Sequence, residues 1–484
     1  VFVQSALSGP ESESRVRTAQ LPPCLDSGIT LRASPPEELG RASVKDTEDD
    51  CPGRVPPCYP FDPTLTEGPG GSVHLFYTPT HGSPLQENGA GRVVTRVWRD
   101  GRWSPPAVIA EGGENMRYMP VALSTGDGKL YVAWLQQTKG PKGYWKNAQV
   151  YGSMWSEGRW SQPGRLSEVP EVDPVRTALE PPALVQSPDG RVHVLWLDSR
   201  EKRFTFSPFD PLGWYYKVYE RTFNGPPDAK ARQVTETGRY YASQLTPVRD
   251  REGRPAEILF FKESWTDSGW WTKGNQGIYS ARAQAKGWSR SERLIPPPGS
   301  PREVEHIMSV EAVRDRAGDL IVAYRAWPLA AEAEAMFTSE LRVLRRRDKG
   351  QIEIHTLARG VNFPYRRSSV QLTSRPDGML SLAYQAHRYE WSDKFDRWVE
   401  ARRAPTYFLS SDGRSCLAAT QLAESTVDGL FDIEVDDAGR THVVWVEDDG
   451  DDAVLKHRWI EVVRKPSAGS GSENAPVTDQ PPRG

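Results

Sequence analysis

Apolar positions along the chain fall in short runs, not in the stripes of a helix. The clearest run is Ser187-Pro-Asp-Gly-Arg-Val-His-Val-Leu-Trp-Leu-Asp-Ser199: a polar Asp-Gly turn, an apolar stretch and an aromatic near its end. The same order recurs from Asp127 to Trp134, Ala317 to Tyr324, Asp377 to Tyr384 and Ala438 to Trp445. Looser copies run from Gly71 to Tyr77 and from Gly253 to Phe261. The aromatics stand at 77, 134, 196, 261, 324, 384 and 445, separated by 57, 62, 65, 63, 60 and 61 residues. A near-constant period over most of a chain marks a repeat architecture. The runs are continuous, not alternating, which predicts strands buried on both faces, as when sheet stacks on sheet.

Each repeat resolves into four short strands. In the second, these are Pro120–Ser124, Leu130–Trp134, Gln149–Trp155 and Arg165–Ser167. Only Leu329–Met336 reads as a short helix. Prolines 63, 120 and 182 begin first strands, which suits an edge strand whose missing N–H no neighbour needs. Seven four-stranded units set radially predict an all-β, seven-bladed β-propeller. The last repeat shows three strands, Phe431–Val435, Thr441–Val446 and Val454–Ile460, so an N-terminal strand at Gly28–Ala33 is expected to close the ring. The organisation expected is an extension (1–58), the propeller (59–464) and a disordered Gly/Pro/Ser-rich tail (465–484).

Composition narrows the classes. The 484 residues include 17 Trp, 17 Tyr and 14 Phe, enough apolar area for a large core. A net charge of −3 argues against a general nucleic-acid or anionic-membrane binder. No apolar run is long enough to span a membrane. Val1-Phe-Val-Gln lacks the basic start and apolar length of a signal peptide, so the chain reads as cytosolic or already processed. The cysteines favour the second. Cys24, Cys51 and Cys58 lie in the Pro-rich extension away from histidines, which fits a disulfide there and a secreted or periplasmic protein, not a zinc site. Which of the three pair is open; Cys416 reads as a small core residue.

The turn between third and fourth strands has its own signature: Asp100-Gly-Arg-Trp-Ser104, Ser156-Glu-Gly-Arg-Trp-Ser161, Lys286-Gly-Trp-Ser289 and Ser410-Ser-Asp-Gly-Arg-Ser415. It resembles a degenerate Asp-box, the Ser-x-Asp-x-Gly-x-x-Trp turn of sialidase/BNR-type propellers. The resemblance covers about four repeats. It implies that glycine turns the chain, an acidic side chain caps the turn amides and Trp plugs between blades. The family's Phe/Tyr-Arg-Ile-Pro motif is absent, the nearest stretch being Tyr365-Arg366-Arg367-Ser368, so sialidase residues are not carried over.

Candidate chemistry sits on the face shared by the loops entering each first strand and those joining second to third strands. Counting back 17 to 22 positions from each aromatic finds Arg117, Arg176, Arg239, Arg302 and Arg366 with Arg367, and Asp428 in the last repeat. Tyr118, Tyr240, Tyr241, Tyr365 and His306 lie beside them. Guanidiniums roughly 7 Å apart at an effective dielectric near 20 repel by about 2 kcal/mol per pair. Such a ring therefore needs carboxylates, for which Glu180 and Asp432 are available, or an anionic ligand. An arginine clamps a carboxylate bidentately, while Tyr240, His306, Tyr365 or Asp428 would move protons. The joining loops carry Trp145, Trp214, Trp270, Trp271 and Trp391, flat rings suited to sugar faces. His74, His193 and His442 recur three before the aromatic and read as inter-blade packing. No metal site is expected. Asp448–Asp452 offers oxygens of the kind calcium takes but lacks the EF-hand pattern, so no cofactor is assigned, with calcium left open.

The expectation is a secreted or periplasmic propeller that recognises a carbohydrate, an acidic glycan for choice, on its loop face. Within enzymes, elimination from a uronate fits Arg with Tyr or His better than sialidase-type hydrolysis, and a glycosidase stays open. The alternatives are a non-catalytic lectin and a protein-interaction propeller in a surface assembly. No nucleic acid and no membrane insertion are expected; a protein partner is left open.

Overall fold

A computed structural model of the chain describes residues 16–18, 21–25, 27–43, 61–79, 91–112, 115–138, 148–168, 180–199, 216–226, 229–236, 240–250, 256–264, 277–284, 287–295, 305–328, 339–347, 350–361, 369–386, 388–392, 397–400, 403–449 and 452–464. The expected helix at 329–336 lies outside them.

Where it is described, the repeated turn forms the first hairpin of its repeat. The Ser187 amide donates to the Arg191 carbonyl (2.8 Å) and the Gly190 amide to the Ser187 carbonyl (2.9 Å). Gly190 sits at φ 81°, a left-handed conformation that a side chain disfavours. The apolar run that follows, Val192–Asp198, pairs with Ala183–Gln186 on one side and Lys217–Thr222 on the other. Trp196 and its counterparts Trp134, Tyr324, Tyr384 and Trp445 are fully buried.

The protein is an all-β propeller with five blades, not seven. Five sheets of four or five strands stand separately: residues 64–110 (blade I), 115–165 (blade II), 183–233 (blade III), 240–295 (blade IV) and 305–359 (blade V). The strands of the last two expected repeats belong to one eight-stranded sheet. The cause is the strand Cys416–Val435, 20 residues long. Its first half pairs with Arg403–Ser411 and its second with Thr441–Asp449. The segment Glu424-Ser-Thr-Val-Asp-Gly429 lies inside this strand, with Gly429 at φ 68° and a slip of register between Thr426 and Phe431.

The N-terminal strand pairs with the last repeat as expected, but ring closure through it is not shown. Ile29–Ala33 pairs with Ile460–Arg464 and Glu37–Ser43 with Asp452–His457, both at the edge of the eight-stranded sheet. That sheet meets blade I through inner strands instead: Asp432 Oδ2 accepts from Thr64 Oγ1 (3.0 Å) and the Leu65 amide (2.7 Å).

The core is a series of apolar layers between neighbouring sheets, which is why the second strands are apolar on both faces. Phe76 and Val93 of blade I pack on Val132 and Trp134 of blade II. Tyr131 and Leu135 meet Val194 and Trp196 of blade III; Leu195 meets Ile258 and Phe260 of blade IV; Phe261 meets Val322 and Tyr324 of blade V. Blade V and the eight-stranded sheet share Val343, Leu382 and Tyr384. That sheet and blade I share Leu75, Val444 and Leu455. Truncating one of these large side chains would cost about 3–5 kcal/mol.

The Trp-bearing turns work as inter-blade plugs. Trp160 of blade II lies edge-on to Phe76 of blade I (5.8 Å), and Trp103 of blade I edge-on to His457 (5.0 Å). Trp288 of blade IV donates to Glu220 of blade III (2.6 Å). Acidic capping occurs at Asp412, whose Oδ1 accepts from the Arg414 and Ser415 amides. At the other three turns the serine takes over: Ser104, Ser161 and Ser289 each accept, at 3.0 Å, an amide from the preceding strand.

The cysteine expectation is corrected too. Cys24 pairs with Cys416, with Cα atoms 4.7 Å apart across 392 residues. The Leu25 amide donates to the Cys416 carbonyl (3.0 Å) and Ser27 Oγ to the Leu417 carbonyl (2.9 Å), holding the two backbones side by side. Cys51 and Cys58 lie outside the described residues.

Candidate functional site at the channel mouth

Antiparallel pairing decides what lies at each end of a blade. In blade I, Thr64 pairs with Phe76 and Tyr77 with Val94. The start of the inner strand, the end of the second and the start of the third therefore share one end, the loop face. The inner strands adjoin one another around an axis, from Thr64–Glu67 through each blade to Cys416–Val435 and back.

At the loop-face end these strands are linked by polar bonds between sheets. Asp62 accepts the Met119 amide, joining blades I and II. Glu180 Oε2 accepts the Gln244 amide (2.5 Å), joining III and IV. Gln244 Oε1 accepts the Ser309 amide (2.8 Å), joining IV and V. Ser309 Oγ accepts both the amide (3.1 Å) and the hydroxyl (2.9 Å) of Ser369 in the eight-stranded sheet. Met119, Gln244 and Ser309 have φ of 54°, 51° and 56°, and each sits where strand register slips. A non-glycine residue held there costs on the order of 1 kcal/mol. The bulge turns its amide out of its own sheet toward the neighbouring one.

Glu180 stands apart in this belt. Burial pushes its carboxyl up to about 7, partly offset by the Gln244 amide. Its Oε1 has no hydrogen bond among the described residues. Pro181 and Pro182 follow it, so the backbone leading into Ala183–Gln186 is stiff.

Farther along the axis, Arg249 of blade IV reaches the eight-stranded sheet. Its guanidinium lies 3.4 Å from the Ile433 carbonyl and 3.6 Å from both Asp432 and Glu434. Burial works against its charge, but Asp432, Glu434 and Glu311 outweigh burial and hold its pKa above the ordinary value. This bridge ties opposite sides of the axis.

The residues expected from sequence are placed unevenly. Arg117 is buried between blades I and II, its Nη1 donating to the carbonyls of Gly91 (2.6 Å) and Glu111 (2.5 Å) and its Nε to Gln136 (2.8 Å). Tyr118 is buried in the layer between blades II and III, and burial raises its phenol. Tyr240 and His306 occur at the loop-face ends of their strands, Asp428 within the long strand Cys416–Val435, and Trp391 on a hairpin of Arg388–Ser392 with Arg397–Glu400; their side chains lie outside the described residues. Arg176, Arg239, Arg302, Tyr365, Arg366, Trp145, Trp214, Trp270 and Trp271 also lie outside them. His442 packs between sheets as expected, against His457 (3.0 Å) and the Trp98 ring of blade I (5.2 Å). His74 and His193 instead bond within their own blades, to Ser72 and Ser187. The acidic turn is occupied from inside: Arg41 Nη1 is 2.7 Å from Asp449 and 3.2 Å from Asp452. Among the described residues no group of three metal-ligating side chains converges.

Sequence reading had Glu180 only as a counter-charge and missed Gln244 and Ser309. The signal was present one step away. Positions 15 to 17 before each repeat aromatic are Asp62, Met119, Glu180, Gln244, Ser309, Ser369 and Gly429, whereas the window used began at 17 and favoured arginines.

No family model matches this chain, and no curated protein matches it. Among solved structures it is similar to an alpha-L-arabinanase of Penicillium chrysogenum complexed with arabinobiose, at 13% identity over 72% of this chain and 94% of that one, TM-score 0.44. It is similar to an ulvan lyase at 11% identity over 82% and 94%, TM-score 0.44. A Trypanosoma rangeli sialidase in complex with sialic acid is similar at 11% identity over 82% of this chain and 54% of that one, TM-score 0.36. Likenesses of this degree carry no argument about ligand or reaction in this chain.

Proposed function

We propose that the protein binds a carbohydrate at the loop-face mouth of its propeller. The observation that carries this is the convergence at one end: Glu180 and Gln244 at the loop-face ends of neighbouring blades, and the connections holding Trp145, Trp214, Trp270, Trp271 and Trp391 that set out from the same end. Polar groups that read hydroxyls beside flat rings that stack on sugar faces are the chemistry of glycan recognition. The entry-loop residues Arg176, Arg239, Arg302 and Arg366 would clamp the carboxylate of an acidic sugar. The Asp-box-like turns are the BNR-type component of this reading. The Cys24–Cys416 disulfide supports placement outside the cytosol.

The test is a glycan array followed by calorimetry with neutral and uronate-containing oligosaccharides. Binding of an acidic member that weakens at least tenfold in Arg366→Ala and in Trp391→Ala, with unchanged melting temperature, supports the reading. Absence of binding across the array sinks it in favour of a protein-interaction propeller.

A further inference from the structure

We propose that Glu180 is the proton donor of that mouth, acting on a glycosidic bond, and that Gln244 is its positioning residue. The inference rests on the carbohydrate reading and adds a reaction to it.

Three geometric facts point to Glu180. One carboxyl oxygen is fixed, because Oε2 accepts the Gln244 amide at 2.5 Å. The other, Oε1, is bonded to nothing among the described residues, and the residue as a whole is half-buried. Another carboxylate of the belt is placed differently: Asp62, which also takes an amide from the next blade, is 8% exposed and has further partners. Burial holds Glu180 neutral to about pH 7, so near neutrality a large fraction carries the proton that a departing oxygen needs.

Gln244 acts through Glu180. Its left-handed backbone swings its amide out of blade IV toward blade III. Its side chain holds that backbone in place by accepting the Ser309 amide of blade V. The carboxyl is thus oriented by a chain of bonds across three blades, ending on Ser369.

The chemistry balances with water as co-reactant. The Glu180 carboxyl gives its proton to the glycosidic oxygen as the bond from that oxygen to the anomeric carbon breaks, and the oxygen departs as an alcohol. Water adds to the anomeric carbon and releases one proton to solvent. Glu180 regains a proton from solvent, so the net reaction is hydrolysis.

The test uses the full chain and a library of 2-aminobenzamide-labelled neutral and uronate-containing oligosaccharides. Binding is read by calorimetry and products by mass spectrometry in heavy-oxygen water. Glu180→Gln keeps an acceptor for the Gln244 amide. It is expected to bind within about threefold of the parent while kcat falls on the order of a hundredfold or more. The parent's rate should fall as pH rises through about 7. Gln244→Gly keeps the amide and relieves the backbone but loses the hold on Ser309. It should move that alkaline limb, a shift that a merely structural residue would not produce.

If the parent binds but does not cleave, or Glu180→Gln cleaves like the parent, the catalytic role is overturned and the binding reading stands. An unsaturated product without heavy oxygen overturns hydrolysis in favour of elimination. An unmoved pH limb in Gln244→Gly overturns the positioning role. If no oligosaccharide binds, both readings fall together.

Discussion

Replacing Glu180 by glutamine preserves the shape of the side chain and an oxygen for the Gln244 amide, and removes only the titration. The carboxyl moves from 4.5 to about 7 on folding. The folded state therefore holds a proton that the unfolded state has lost across that window, and stability must fall as pH rises through it. Each unit is worth about 1.4 kcal/mol, so the loss approaches about 3 kcal/mol by pH 8. His74 works in the opposite direction. Burial, with help from Arg99, lowers it from 6.5 to about 4, so it removes stability as pH falls through that range. His74 is common to parent and variant and cancels in their difference. The assay is urea unfolding of both proteins at pH values from about 4 to about 8. The stabilities should coincide at the acid end, and the variant should exceed the parent by about 3 kcal/mol at the alkaline end. A difference that is flat with pH, or that grows toward acid, refutes the burial of this carboxyl and with it the basis for calling it a proton donor.

Other outcomes follow from the same structure. Cys24→Ser opens a loop of 392 residues and should cost about 6 kcal/mol by loop entropy; an unchanged melting temperature, with or without reductant, would show that the strand pairing of 29–43 suffices alone. Gly91→Ala should lose about 2–4 kcal/mol, because Gly91 has φ 76° and a Cβ there would lie 2.1 Å from the Asn115 carbonyl oxygen of blade II. Urea unfolding within about 0.5 kcal/mol of the parent would contradict that seam. His74→Gln should flatten the loss of stability between pH 6.5 and about 4; an unaltered acid limb would mean that His74 is protonated in the fold.

The local pattern carried far into the fold. The Asp-Gly turns, the apolar second strands and their terminal aromatics are dictated by short-range rules: a glycine where φ must be positive, and apolar residues on both faces where sheet stacks on sheet. Trp134 and Trp196 lie in inter-blade layers as that pattern requires. The turn tryptophans were legible for the same reason, since a large ring on a hairpin tip must find cover.

Tertiary structure alone decided three things. A count of repeats is not a count of blades: Cys416–Val435 runs through what a period marks as a boundary, because sheet pairing on both sides outweighs the break. Cys24 finds Cys416 because the N-terminal arm lies along that sheet, and sequence distance says nothing about spatial distance. The mouth is the third. Glutamate, glutamine and serine at 180, 244 and 309 share no residue type that a pattern could flag; what they share is a place at the loop-face ends of successive blades, where the bulges at Gln244 and Ser309 turn their amides toward the preceding blade. The chain's own spacing carried that equivalence, but only the closing of the sheets around an axis made those positions neighbours, and left one oxygen of Glu180 without a bond among the described residues.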